Sequence, residues 1–171
     1  WKQFPRYALV SSLLIILCAG LFSPHMDVAE AKPVASVDEL NVLISEFRVR
    51  GPNGADDEFV EIYNASGNSI SLNGWKVRKS SGCGATLNDL ALIGAISIAP
   101  GQYYLIAKSG TYSGSLTPDL LYSTSGVSDD GGIALVDSFN NVIDQVGLCS
   151  TTTYKEGTSL SSMSGTADQS Y

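Results

Sequence analysis

Two stretches decide the fold. Residues 40–64 read Leu40-Asn41-Val42-Leu43-Ile44-Ser45-Glu46-Phe47-Arg48-Val49-Arg50-Gly51-Pro52-Asn53-Gly54-Ala55-Asp56-Asp57-Glu58-Phe59-Val60-Glu61-Ile62-Tyr63-Asn64, and residues 71–77 read Ser71-Leu72-Asn73-Gly74-Trp75-Lys76-Val77. From Val42 to Val49, β-branched and aromatic residues in weak alternation suit a strand buried on one face and partly covered on the other. Gly51-Pro52-Asn53-Gly54 ends it: proline sets φ for a turn, and glycine and asparagine tolerate positive φ. These four residues with Ala55-Asp56-Asp57 predict the loop of a hairpin. Its return strand, Glu58 to Asn64, alternates so that Phe59, Glu61 and Tyr63 share one face and Val60 and Ile62 the other. Leu72 and Trp75 flank the turn dipeptide Asn73-Gly74, so a bend there delivers the indole into the space between two sheets. The expected class is an all-β sandwich, with Phe47, Phe59, Ile62, Tyr63, Leu72 and Trp75 as its core.

Glu61 stands on a face with two aromatic rings, where a carboxylate is costly unless paired. Arg48 and Arg50 on the preceding strand are its expected partners. Further along, Ser80 to Gly84 reads as a loop, and Thr86 to Ile93 as either a strand or a short helical turn. Ala95–Ala99 and Gln102–Ala107 flank Pro100-Gly101, a tight turn between two short strands. Tyr103-Tyr104 is expected to place one ring inside and one outside. Lys108 to Thr124, rich in Ser, Gly and Tyr, is a surface excursion anchored by Leu120-Leu121-Tyr122. Gly132–Val136 and Asn141–Val146 then pair around Ser138-Phe139-Asn140, with Val142 and Val146 in the alternation of a half-buried strand. Asn64-Ala65-Ser66 is formally a glycosylation sequon, discounted in a chain that reads as bacterial.

Residues 1–31 read as an export signal and helix: Lys2 and Arg6 are basic, Tyr7 to Leu17 is apolar, and Ala29-Glu30-Ala31 is an A-x-A site that sets cleavage between Ala31 and Lys32. The apolar run is too short for a comfortable membrane span, so the membrane enters only through an uncleaved signal segment. Cys18 follows Leu17 rather than a small residue, which speaks against a lipidated cysteine. Residues 32–39 are a linker containing Pro33, and residues 40–171 form the domain. The first residue is Trp1, which implies a start lying upstream. The polar tail from Ser150 to Tyr171 implies either a sequence that stops short or a domain without its final strand, and the irregular first residue favours the former.

Composition narrows the function. A net charge of −7 argues against wrapping nucleic acid, which needs a basic stripe to displace counterions. Arg48, Arg50, Lys76, Arg78 and Lys79 are the one local concentration of positive charge. His25, the single histidine, falls in the segment expected to be removed, leaving no imidazole for a nucleophile–base pair or a histidine metal site. Cys83 and Cys149 remain in a chain bound for an oxidising compartment, where paired thiols tend to form a disulfide. Two isolated buried thiols are the alternative. Asp129-Asp130-Gly131-Gly132 with Asp56-Asp57-Glu58 offers oxygen ligands for calcium, but EF-hand spacing is absent and acidic loop tips are ordinary; no cofactor is expected.

Ile44-Ser45-Glu46-Phe47, Asp57 to Asn64 and Ser71 to Val77 together resemble the lamin-tail domain family, as do Ile98 to Ala107, Ser128 to Asp137 and Val142 to Gly147. The likeness runs from about Leu40 to Tyr171 and implies an immunoglobulin-like β-sandwich of the kind found in nuclear lamin tails and in bacterial exported proteins. Non-catalytic binding or adhesion follows as the expected function, engaging a protein, a polysaccharide or a neighbouring domain. The alternatives are an accessory domain of a larger extracellular hydrolase or nuclease, and a nucleic-acid contact. Partner identity and oligomeric state are not written in these residues.

Overall fold

A computed structural model describes residues 42–165 and 167–171. The expected signal helix, its cleavage site at Ala31 and Lys32, and the linker 32–39 lie outside those residues. Ten strands follow in chain order: β1 (Val42–Arg48), β2 (Phe59–Asn64), β3 (Ile70–Ser71), β4 (Lys76–Ser80), β5 (Leu87–Leu92), β6 (Ser97–Ile98), β7 (Tyr103–Lys108), β8 (Leu120–Tyr122), β9 (Gly132–Val136) and β10 (Val142–Gly147). No helix occurs among the described residues, so the segment around Thr86–Ile93 resolves as strand.

One sheet has the order β1-β2-β7-β8 and a second β10-β9-β4-β5, with a short β3-β6 pair beside them. Phe47, Val60, Ile62 and Ile106 from the first sheet and Val77, Leu90, Ile133 and Leu135 from the second meet in a single core. This is an immunoglobulin-like sandwich. Each such side chain removed from water stabilises the fold by about 1.5–3 kcal/mol, and these apolar faces are what hold the two layers together.

Weak alternation in β1 has a mechanical cause. The β1–β2 register slips between Ile44 and Glu46, a bulge at Ser45 that turns the following residues over. Val42 and Ile44 therefore face inward before it, and Phe47 and Val49 after it. Ser45 Oγ donates to the Glu61 carbonyl at 3.2 Å and to Glu61 Oε1 at 2.8 Å. Glu61 is thus held by a hydroxyl and not by the expected arginine.

The alternation in β2 is as expected, but the core membership of Phe59 and Tyr63 needs correction. Val60 and Ile62 point to the main core, while Phe59 is buried in a separate cluster with Leu105 and Ala107 on the outside of the first sheet. Tyr63 is only half-buried there. Its ring rests on that of Tyr103, centroids 4.7 Å apart. Leu72 and Trp75 are buried as expected, the indole only 5% exposed. The bend that delivers it has Trp75 N donating to the Leu72 carbonyl at 2.9 Å, with Gly74 at φ 76°.

Pro100-Gly101 joins two strands that do not pair with each other: β6 pairs with β3, and β7 with β2. The turn is a corner where the chain changes sheet, with Gly101 at φ 73°, the left-handed conformation a type II turn requires. Asn64 pins that corner. Its amide donates to the carbonyls of Asn68 and Ile98 at 2.8 and 3.0 Å and is fully buried, which places the sequon's acceptor nitrogen out of reach of a glycan.

The polar tail is organised by backbone and not by an apolar pattern. Thr152 and Tyr154 lie buried on the outside of the second sheet, at a level where the cross-strand pair Gly132 and Gly147 has no side chains to obstruct them. Leu160 N then donates to the Gly147 carbonyl at 2.9 Å, and Met163 enters the main core. Finally Tyr171 exchanges two backbone hydrogen bonds with Phe47 on the outer edge of β1, at 2.9 and 3.0 Å. Asp144 caps the same edge by accepting from Ile44 N at 2.7 Å. An open strand edge invites pairing with another chain, and both devices blunt this one.

Candidate functional site

Three polar arrangements stand out, two of them structural. At the hairpin loop, Asp57 is completely buried and accepts from Ser113 Oγ at 2.6 Å, Ser113 N at 3.0 Å and Asn53 N at 2.9 Å. It also pairs with the buried guanidinium of Arg48, which stacks over the Phe59 ring at 5.2 Å. A further nitrogen of Arg48 donates to Asp168 in the tail at 2.5 Å. Burial works against ionisation of Asp57, but the hydrogen bonds from Ser113 and Asn53 and the charge of Arg48 outweigh it and hold its pKa below the ordinary value. The hairpin loop, the 109–119 connection and the tail are thereby tied at one point.

Glu58, 1% exposed, points between the sheets. Its carboxylate accepts from Tyr122 OH at 2.6 Å and from Val127 N at 2.7 Å. Buried Lys79 holds the same loop by donating to Ser125 Oγ at 2.9 Å and to the carbonyls of Ser125 and Gly126. Burial pushes the Glu58 pKa from 4.5 up to about 7 against the pull of those hydrogen bonds, and burial lowers that of Lys79.

The folded chain therefore keeps a proton on Glu58 that the unfolded chain releases. Stability should fall as pH rises from 4.5 to about 7, by about 3 kcal/mol for this group. Glu58→Gln is expected to remove that slope while its oxygen keeps accepting from Val127 N and its amide nitrogen donates to the Tyr122 hydroxyl in a reversed hydrogen bond. Urea midpoints of parent and variant across the window check it, and parallel curves would refute it.

The third arrangement lies open to solvent. Cross-strand register sets Leu43, Tyr63 and Tyr103 in one row on the outside of the first sheet. Leu43 is 43% and Tyr103 58% exposed. Beside this row runs a cleft of ≈ 350 Å³ whose lining includes Glu46, Glu61 and Leu105 from the sheet, Leu116 from the 109–119 connection, and Asp168 and Ser170 from the tail.

The remaining sequence candidates disperse. Arg48 pairs with Asp57 and Asp168, Arg50 with Asp129, and Lys76 and Arg78 both with Asp89, while Lys79 is turned inward, so the five cations form no common patch. The acidic loops likewise do not converge: Asp57 and Asp129 are each spent on an arginine, and Glu58 is internal. Among the described residues no group of three could hold a metal ion. Cys83 and Cys149 are joined in a disulfide, Cα atoms 5.4 Å apart, which ties the β4–β5 loop to the start of the tail.

Sequence reasoning named Tyr63 and Tyr103 separately but missed that they stack. It missed the cleft altogether, because that depends on register across β1, β2 and β7 and on where the tail returns.

An all-β immunoglobulin-like sandwich whose internal acids and bases serve its own loops, and whose exposed features include an aromatic row beside a cleft, has the build of a binding module. A sequence model for the family described as Lamin Tail Domain matches residues 36–149, and the chain belongs to that family. No curated protein matches it. The tail that supplies Asp168 and Ser170 to the cleft lies beyond the matched residues.

Proposed function

We propose that this chain is an exported, non-catalytic binding or adhesion module that holds a protein, a polysaccharide or a neighbouring domain through the outer face of its first sheet. The observation that carries the reading is the Leu43–Tyr63–Tyr103 row, two stacked rings and an aliphatic side chain kept at the surface of a rigid sheet. Aromatic anchors of this kind supply contact area at low entropy cost. Export is supported by the basic, apolar and A-x-A segments of residues 1–31 and by the paired cysteines. A binding role without catalysis is supported by the way Arg48, Asp57, Glu58 and Lys79 are each consumed in packing contacts.

The test maps amide NMR shifts of the full chain against soluble surface polysaccharides and peptides. Shifts centred on Tyr63 and Tyr103, lost in Tyr63→Ala/Tyr103→Ala, are expected. Binding elsewhere on the domain, or reproducible hydrolytic turnover, would overturn the reading.

A further inference from the structure

We propose that the cleft beside the tyrosine row takes a lysine or arginine side chain of an extended partner polypeptide whose neighbouring apolar residue rests on Tyr63 and Tyr103. The inference rests on the binding role proposed for this face and names the chemistry of the partner.

Charge in the cleft is one-sided. Glu46, Glu61 and Asp168 line it against one cation, Arg48. That guanidinium is already committed: it pairs with fully buried Asp57 and with Asp168, and donates to the Asp57 carbonyl at 3.1 Å and to Ser113 Oγ at 3.0 Å. Glu46 and Glu61 pair with no cation among the described residues, so their negative charge is left over in a partly enclosed site, where it attracts a cation more strongly than it would on an open surface.

The carboxylates are also held in place. Glu61 Oε1 accepts from Ser45 at the β1 bulge, and Glu46 Oε1 accepts from Ser170 in the tail. The second oxygen of each is left to accept from a ligand. The charged acceptors Glu46 and Glu61 suit an ammonium or guanidinium group, which only donates and brings the opposite charge. A neutral sugar could use the hydroxyls of Tyr112 and Ser115 and the amide of Gln169, but it would leave the charge of Glu46 and Glu61 without a counter-ion, which a cation supplies.

Spacing gives the pattern of the partner. Glu61 and Tyr63 lie on the same face of β2, two residues apart, about 7 Å by strand geometry. A peptide running along β2 in extended form places an apolar residue over the tyrosines and a basic residue two positions away in the cleft. Leu116 and Leu105 would cover the aliphatic stem of that side chain, the usual way long cations are buried up to their charge.

The probe is a fluorescein-labelled peptide with leucine and lysine two positions apart, compared with the same peptide carrying glutamate for lysine. The full chain is expected to bind the lysine peptide, with amide shifts at Glu46, Glu61, Tyr63 and Tyr103 and an affinity that falls with added salt. Glu46→Gln/Glu61→Gln should weaken it by about tenfold. Glu61→Lys should transfer the preference to the glutamate peptide, a gain that misfolding cannot imitate. Equal affinity for both peptides, or no change in the glutamine variant, would overturn the proposal. A neutral oligosaccharide such as chitohexaose that shifts Tyr63 and Tyr103 when the lysine peptide does not would also overturn it, while leaving the binding role of the face intact. No shift at either tyrosine from any probe would remove both.

Discussion

Asp57→Ala is expected to destabilise the domain by about 3–5 kcal/mol, the usual cost of removing one partner from a buried ion pair and stranding the other. The size follows from what the alanine would leave behind. Arg48, itself buried, would keep only exposed Asp168 as a carboxylate partner, and the amides of Ser113 and Asn53 would lose their acceptor. Urea denaturation near neutral pH measures the loss, and a change below about 1 kcal/mol would sink the prediction. Two controls separate charge from packing. Asp168→Ala removes an exposed partner and should cost less than about 1 kcal/mol. Replacing Arg48 and Asp57 together with Met and Leu should cost less than Asp57→Ala alone, because no charge is then left buried.

The pH dependence of this pair has the opposite sign to that of Glu58. The Asp57 pKa is lowered on folding, so its stabilising contribution is present above the ordinary carboxylate value and is lost as pH falls through the depressed one. Strong acid should therefore loosen the hairpin loop, while mild acid should tighten the region around Glu58.

The second large effect belongs to the disulfide. Cys83 and Cys149 are 66 residues apart, and the chain-entropy account of such a cross-link gives about 4 kcal/mol relative to the open chain. Cys83→Ser/Cys149→Ser is expected to lose most of that. Protein made in an oxidising compartment should show no free thiol at these positions under denaturing conditions. Two reactive thiols, or a variant as stable as the parent, would reject the bridge as a stabilising element.

Much of the architecture was legible because local chemistry announces it. Gly51-Pro52-Asn53-Gly54 could hardly be anything but a turn, and Leu72-Asn73-Gly74-Trp75 carries both the bend and the residue that needs burying. The expectation that Phe59 and Tyr63 belong to the core between the sheets failed for one reason. A period-2 pattern separates the sides of a strand but does not say which side meets the other sheet, and in Phe59 to Tyr63 both sides carry apolar groups. Long-range pairing settled it: Phe47 lies opposite Val60 and so puts Val60 and Ile62 inside. The Ser45 bulge is equally silent in sequence, since a slip of one residue in register leaves only a blurred alternation. Glu61 was given to an arginine for want of that slip, which brings a serine hydroxyl beside it instead.

The amino-acid sequence alone determined an all-β domain, its hairpins and turns, the tryptophan at its centre and the absence of an imidazole from the expected domain, because these depend on neighbouring residues and on composition. Only the tertiary structure decided that Arg48 answers Asp57, that Glu58 lies between the sheets, and that a polar tail returns to the edge of β1 and completes an acidic cleft beside two tyrosines. Those contacts join residues as far apart as Phe47 and Tyr171. They are set by register and by the packing of one sheet on the other, and no local pattern records either.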